Sequence, residues 1–202
     1  MSTLRRWRKE ARKGSVVLSL KDKLDGIEVP KWKLRPEILL QGNVPKPLHG
    51  VAPRVVLGSR WWDQTKRKTY RSTGFHCVAC GVSKFQARFH KWLEAHEVYN
   101  TDYLLGRMYY RETVPLCHAC HNYIHSGRLA MLLEKRQISG KRYSIIIRHG
   151  DKVLRNAGFK PKRHAEDLSE GPVWSDWRLV IDGVEYPPKF KTFDEWKAAF
   201  NN

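Results

Sequence analysis

Phe75-His76-Cys77-Val78-Ala79-Cys80-Gly81 and Val114-Pro115-Leu116-Cys117-His118-Ala119-Cys120-His121 contain all four cysteines of a 202-residue chain. Each stretch carries one Cys-x-x-Cys pair, and 36 residues separate the two pairs. A Cys-x-x-Cys turn presents two thiolates to one ion, and two such turns complete a tetrahedral structural zinc site. A redox Cys-x-x-Cys accounts for one pair but not for two. Disulfides fit a secreted chain, and nothing here reads as a secretory leader. The expectation is one Zn²⁺ on Cys77, Cys80, Cys117 and Cys120, with His76 and His118 as substitute ligands beside them.

The segment between the pairs is longer than a simple zinc ribbon needs, and it has room for a hairpin. Lys91 to Tyr99 reads as a strand, Asn100 to Gly106 as a loop, Arg107 to Val114 as a second strand, and a helix follows from Leu116. The order is ββα. His121 and His125 lie four apart, so a helix points both imidazoles from one face.

Further out, residues 59–72 contain Trp61 and Trp62, then Lys66, Arg67, Lys68, Tyr70 and Arg71. A helix there places Trp62, Lys66 and Tyr70 along one side. Packing against the next element is favoured for the tryptophans over stacking on unpaired bases. Upstream, five prolines and two glycines between Val29 and Pro53 disfavour helix and central strand, which predicts an extended arm. Downstream, Leu129 to Ile138 reads as helix after a break or kink at Gly127, and Tyr143 to Arg155 as helix or strand. Arg178–Ile181 and Val184–Tyr186 flank an Asp182-Gly183 hairpin turn. Thr192 and Glu195 form a capping box for a closing helix. These readings divide the chain into a basic, Pro-rich arm (1–58), a zinc module (59–140) and a small α/β extension (141–202).

The formal net charge is +18. Residues 165–202 carry eight acids and four bases, a net −4, so the other 164 residues carry +22. A field of that sign concentrates a polyanion and releases its counterions on binding. Nucleic acid is therefore the expected partner, DNA before RNA, with Arg60, Lys66, Arg67, Lys68 and Arg71 as phosphate contacts together with the basic start from Arg5 to Lys13. No apolar run spans a bilayer, and no basic amphipathic helix suggests a membrane surface. The expected location is cytoplasmic, in a bacterial or phage-infected cell.

Leu93-Glu94-Ala95-His96-Glu97, taken with Val114 to His121, resembles the HNH (ββα-metal) endonucleases that carry a four-cysteine zinc. The resemblance covers residues 75–128. It implies a zinc-stapled α+β fold and a second, catalytic divalent ion such as Mg²⁺, Mn²⁺ or Ni²⁺. By position, His96 matches the strand metal ligand and His121 the first helix ligand, with His125 completing a colicin-like set. Glu97 stands where the family has a histidine general base. Arg111-Glu112-Thr113 stands where an asparagine normally orients that base. In another register His96 is the base and Glu94 or Glu97 the carboxylate ligand. His49, His90, His149 and His164 read as structural. The function this implies is metal-dependent hydrolysis of DNA phosphodiester bonds, with Glu97 and His96 as catalytic residues. The alternative is a non-catalytic, zinc-stabilised nucleic-acid-binding protein. A DNA-mimicking inhibitor is disfavoured by the charge.

Overall fold

A computed structural model describes residues 31–161 and 172–200. The basic start from Arg5 to Lys13 and His164 lie outside the described residues. Among the described residues the fold is mixed α+β, with six α-helices and one four-stranded sheet.

The hairpin anticipated between the cysteine pairs is present. β1 (Glu94–Asp102) pairs antiparallel with β2 (Arg107–Leu116), with His96 opposite Val114 and an irregularity between Val98 and Tyr99. β1 starts and ends three residues later than the sequence suggested, which shrinks the loop to a turn, and β2 runs two residues past Val114. Asp102 Oδ1 accepts the amides of Leu104 and Leu105 at 3.0 and 2.9 Å, and Gly106 adopts φ +64°. A side chain that mimics a backbone turn closes a hairpin in few residues. β3 (Arg178–Ile181) then adds to β2 in parallel, and β4 (Val184–Tyr186) pairs with β3 around Asp182-Gly183. The sheet order is β1-β2-β3-β4, which leaves β1 at an edge.

Before the sheet come α1 (Pro53–Val56) and α2 (Gly58–Ser72). After β2 come α3 (His118–Ile124), α4 (Ser126–Glu134) and α5 (Gly140–Asn156), and α6 (Phe193–Phe200) ends the described chain. The break between α3 and α4 falls at His125, not at Gly127, which lies inside α4. Gly127 has no left-handed φ, and it begins no turn. The ambiguous Ile145-Ile146-Ile147 run is helical. Ser139 caps α5 by accepting the Arg142 amide at 3.2 Å, and Ile146 and Leu154 then face inward on one side.

The segment read as an extended arm is drawn into the structure. Pro36–Leu40 and Lys46–Leu48 form 3₁₀ turns, and Ile38, Leu39 and Leu48 are buried. Proline at the first position of a turn loses no hydrogen bond. Ile38 and Leu39 share a core with Leu93, Val114, Leu116, Ile124, Ile146 and Leu154, so α5 and the cysteine region share one interior. Leu48 and Val51 join Met108, Trp177, Leu179 and Ile181 in a second core beneath β3.

Two local devices position α3. Tyr123 donates to Asp151 Oδ1 at 2.8 Å, and Arg155 holds the other oxygen at 3.1 Å. A Cβ on Gly150 would sit 2.2 Å from the Tyr123 ring, so glycine is what lets α5 approach α3 so closely. Thr192 Oγ1 accepts the Glu195 amide at 3.2 Å, and Glu195 Oε2 reaches back to the Lys191 amide at 2.8 Å. No helix of the described residues is long and apolar enough to cross a membrane.

Candidate metal centres

The four cysteines converge, with Sγ atoms all within 4.8 Å of one another and Cys80 Sγ 3.7 Å from Cys117 Sγ. The first knuckle is built by Gly81, at φ +76°, whose amide bonds to the Cys77 carbonyl at 2.8 Å. In the second, Cys117 is extended at the N-cap of α3, so Cys117 and Cys120 both turn toward the first pair. His149, read as structural, reaches Cys120 Sγ with Nε2 at 3.3 Å. Hydrogen bonds from Cys120, Cys77 and Cys80 push the Cys117 thiol down, and the hydrogen bond to Cys117 pushes the Cys120 and Cys80 thiols up. Against burial and Cys117, the Cys77 thiol is lowered too, by its hydrogen bonds with Cys120 and Cys80. A buried four-thiol cluster of this kind is compatible with structural zinc.

The second convergence is His96 with His121 and His125. One ring nitrogen from each lies within 4.8 Å of the others, and the ring centroids are 4.7 to 5.3 Å apart. His96 comes from β1, His121 from α3 and His125 from the break before α4, so the hairpin and helix must both be in place to assemble the trio. Burial first, then His125, His121 and Arg54, holds His96 well below its ordinary value. Burial, followed by His121, Arg128 and Arg54, lowers His125 to about 3. Both rings are therefore neutral near pH 7, with lone pairs to give. An amide nitrogen only donates, so His96 Nε2 accepts from Gln41 Nε2 at 3.2 Å, and an ion would compete with Gln41 for it. The buried Nδ1 of His96 then carries the proton and has no partner in the protein. A buried orphan nitrogen is costly unless something satisfies it. The donor set suits a divalent transition ion.

Glu94 organises the trio from behind. It shares a strand face with His96, two residues away. Arg142 Nη2 lies 2.7 Å from His118 Nε2. A guanidinium only donates, so His118 Nε2 accepts and its Nδ1–H donates to Glu94 Oε1 at 2.7 Å. Glu94 Oε2 takes His121 Nδ1–H at 2.5 Å. That fixes the His121 tautomer and frees Nε2 as a ligand atom, as carboxylates do for metal-bound histidines. Burial alone would raise Glu94, but the hydrogen bonds from His118 and His121 outweigh it and hold the carboxyl far below the usual range. His90 Nε2 adds to the clasp at 3.1 Å from Glu94 Oε1. His90, Glu94 and His118 also cluster like ion ligands. His90 Nε2 also lies 2.8 Å from His118 Nδ1, and an ion on that Nδ1 would put a proton on Nε2 facing Arg142.

Glu97, expected as the general base, follows His96 on β1. It is buried, and its carboxylate is taken by an ion pair with Arg54. Glu112, in the stretch that lacks the asparagine, pairs with Arg35 at 2.6 Å. Asn122 turns back to the His118 carbonyl at 2.9 Å and does not enter the trio.

The three histidines line a cleft of about 700 Å³ beside β1, together with Arg54, Trp62, Tyr70 and Trp92. Trp62 and Tyr70 share a side of α2, as their spacing indicated. The two tryptophans are only half-buried, with Trp61 edge-on to Tyr110 at 6.0 Å and Trp62 facing the cleft. Arg60, Arg67, Lys68 and Arg71 of α2 are exposed, and Lys66 is bonded to Asp63 at 2.8 Å.

Sequence reasoning missed Arg54, Gln41 and Arg142, which reach the site across long separations. It read His90 as structural, with no part in the site. His118 and His76, expected as substitute zinc ligands, instead bond to Glu94 and to the Thr73 carbonyl.

The pH dependence follows from these rings. A histidine whose folded pKa is depressed binds its proton more readily when unfolded. Stability is then full above the unfolded value, near 6.5, and falls as pH drops toward the folded value of about 3. The expected outcome is a denaturation midpoint that declines from pH 7 to 5.5. His125→Gln should flatten the slope by about 1 kcal/mol per pH unit, read by urea titration of the zinc-loaded protein.

Compared with known proteins, the chain matches no family model, no curated protein and no solved structure.

Proposed function

We propose that the protein is a metal-dependent endonuclease of the HNH type, acting on DNA phosphodiester bonds at the cleft beside β1. The observation that carries this reading is the His96–His121–His125 trio, assembled from a hairpin and helix tied together by the cysteine cluster and backed by Glu94. The three histidines would hold a Mn²⁺ or Ni²⁺ ion, which imidazole suits better than it does the oxygen-seeking Mg²⁺. When bound, such an ion supplies Lewis-acid charge for a phosphoryl oxygen and lowers the pKa of its water. Glu94 keeps His121 Nε2 aimed at the site. Arg54, anchored by Glu97 and lying over Trp62 at 5.8 Å, meets the phosphate backbone. Glu97 then acts by holding Arg54. The exposed bases of α2 and the charge of +18 draw the polyanion in.

The Arg54–Glu97 pair also favours a second reading, a zinc-stabilised DNA-binding protein with no catalytic base. Incubation of the purified chain with supercoiled plasmid and each divalent ion, against a chelator control, separates the two. The nuclease reading expects nicking or linearisation that requires the ion. No cutting of supercoiled, linear, branched or single-stranded DNA with any ion leaves the binding protein.

A further inference from the structure

The loop between the first cysteine pair and β1 sets a cation directly before each of three aromatics, Lys84-Phe85, Arg88-Phe89 and Lys91-Trp92. All three rings stay in contact with solvent, at 71%, 38% and 59% exposure. Folding ordinarily buries such rings, because each removes a large apolar area from water. Cations lie over the two phenylalanines, Lys84 at 4.8 Å from Phe85 and Arg142 at 4.9 Å from Phe89.

Trp92 is the member of this set that lines the cleft of the three histidines. One face of its indole stacks on His90, with centroids 3.7 Å apart and planes 4° from parallel. His90 is in turn held by Glu94, the carboxylate that also holds His121. The ring is therefore fixed before anything binds, and its outer face is open. Its position is tied through one carboxylate to the histidine trio.

We infer that the cleft takes a single strand of DNA, with an unpaired base stacked on the outer face of Trp92 and the adjoining phosphates met by Arg54 and Arg128. The inference rests on the nucleic-acid reading of the cleft and names its substrate. A base offers a face to an aromatic side chain only when it has left its own stack, so a paired duplex cannot use the platform. A cleft of about 700 Å³ fits a short piece of one strand. The alternation of cations with aromatics suits a polyanion carrying flat rings, and stacking tolerates any base sequence.

The test is fluorescence anisotropy with the full-length, zinc-loaded chain and no added second ion, so that binding is read without cleavage. The probes are an end-labelled single strand and the blunt duplex of the same sequence, at matched salt. Wild type should bind the single strand more tightly. Trp92→Ala and Trp92→Leu should each weaken single-strand binding roughly 10-fold and leave the duplex unchanged, while Trp92→Phe retains most of the affinity. Zinc content and melting of the variants should match wild type, since the side chain is exposed. Equal loss for both probes, no loss for either, or a wild-type preference for duplex overturns the proposal. A chain that shows the strand-selective loss yet cuts nothing keeps this inference and loses the nuclease reading. One that cuts, but whose Trp92 variants lose no strand selectivity, does the reverse.

Discussion

Cys120→Ser should abolish cooperative folding of the cysteine region and leave the protein without its stoichiometric zinc. Cys120 is fully buried and stands at the meeting point of the first knuckle, α3 and His149 of α5. Structural zinc in small sites contributes on the order of 10 kcal/mol of folding free energy. That is comparable to the whole stability of a typical domain, about 5–15 kcal/mol. Few apolar contacts can replace it, because Cys77, Cys117 and Cys120 themselves occupy the interior that Leu116 and Ile124 share. Without the ion the site is four crowded thiols, and the knuckle has no reason to stay against the helix. Elemental analysis should find one zinc per wild-type chain and less in the variant. Thermal melting should show a cooperative transition only in the former. A Cys120→Ser protein that melts within a few degrees of wild type would refute the zinc assignment.

His121→Ala should have the next largest effect, this time on activity. It removes a proposed ligand but no cysteine, so zinc content and DNA affinity measured without added metal should stay near wild type. Cleavage should fall roughly 10³-fold or more, since the ion's charge stabilisation is worth several kcal/mol in the transition state. Glu94→Gln gives a graded companion. His118 and His121 donate to different oxygens of Glu94, and an amide would set an NH₂ donor against one of them. Affinity for the second ion should drop about 10–100-fold, the usual cost of losing an orienting partner, with the zinc unaffected. Calorimetric titration with Ni²⁺ or Mn²⁺ reads this directly. Undiminished ion binding by His121→Ala would remove His121 from the site, whatever the plasmid assay showed.

The cysteine cluster, the ββα order and the Asp182-Gly183 hairpin were legible in the sequence because each rests on local chemistry. Two thiols three apart form a knuckle wherever they lie, the strand and helix periods are set by the backbone, and an Asp-Gly turn closes on its immediate neighbours. The proximity of His96 to His121 and His125 was legible for a related reason: the cysteine pairs flank the hairpin and lead into the helix, so little freedom is left between them. What Glu97 does was not legible. Its fate depends on Arg54, 43 residues away, which captures its carboxylate. Likewise, the Arg142–His118–Glu94 chain that fixes the tautomer of His121 needs α5 to dock on α3, which Gly150 permits by giving way to the Tyr123 ring. The Pro-rich segment behaved as its residues require locally, bending in 3₁₀ turns. Only the assembled fold supplied the apolar floor that buries Ile38, Leu39 and Leu48. Composition and spacing thus determined which residues could hold an ion and draw in a polyanion. Tertiary packing, through charges brought together from distant segments, decided which carboxylate pairs with an arginine and which orients a histidine.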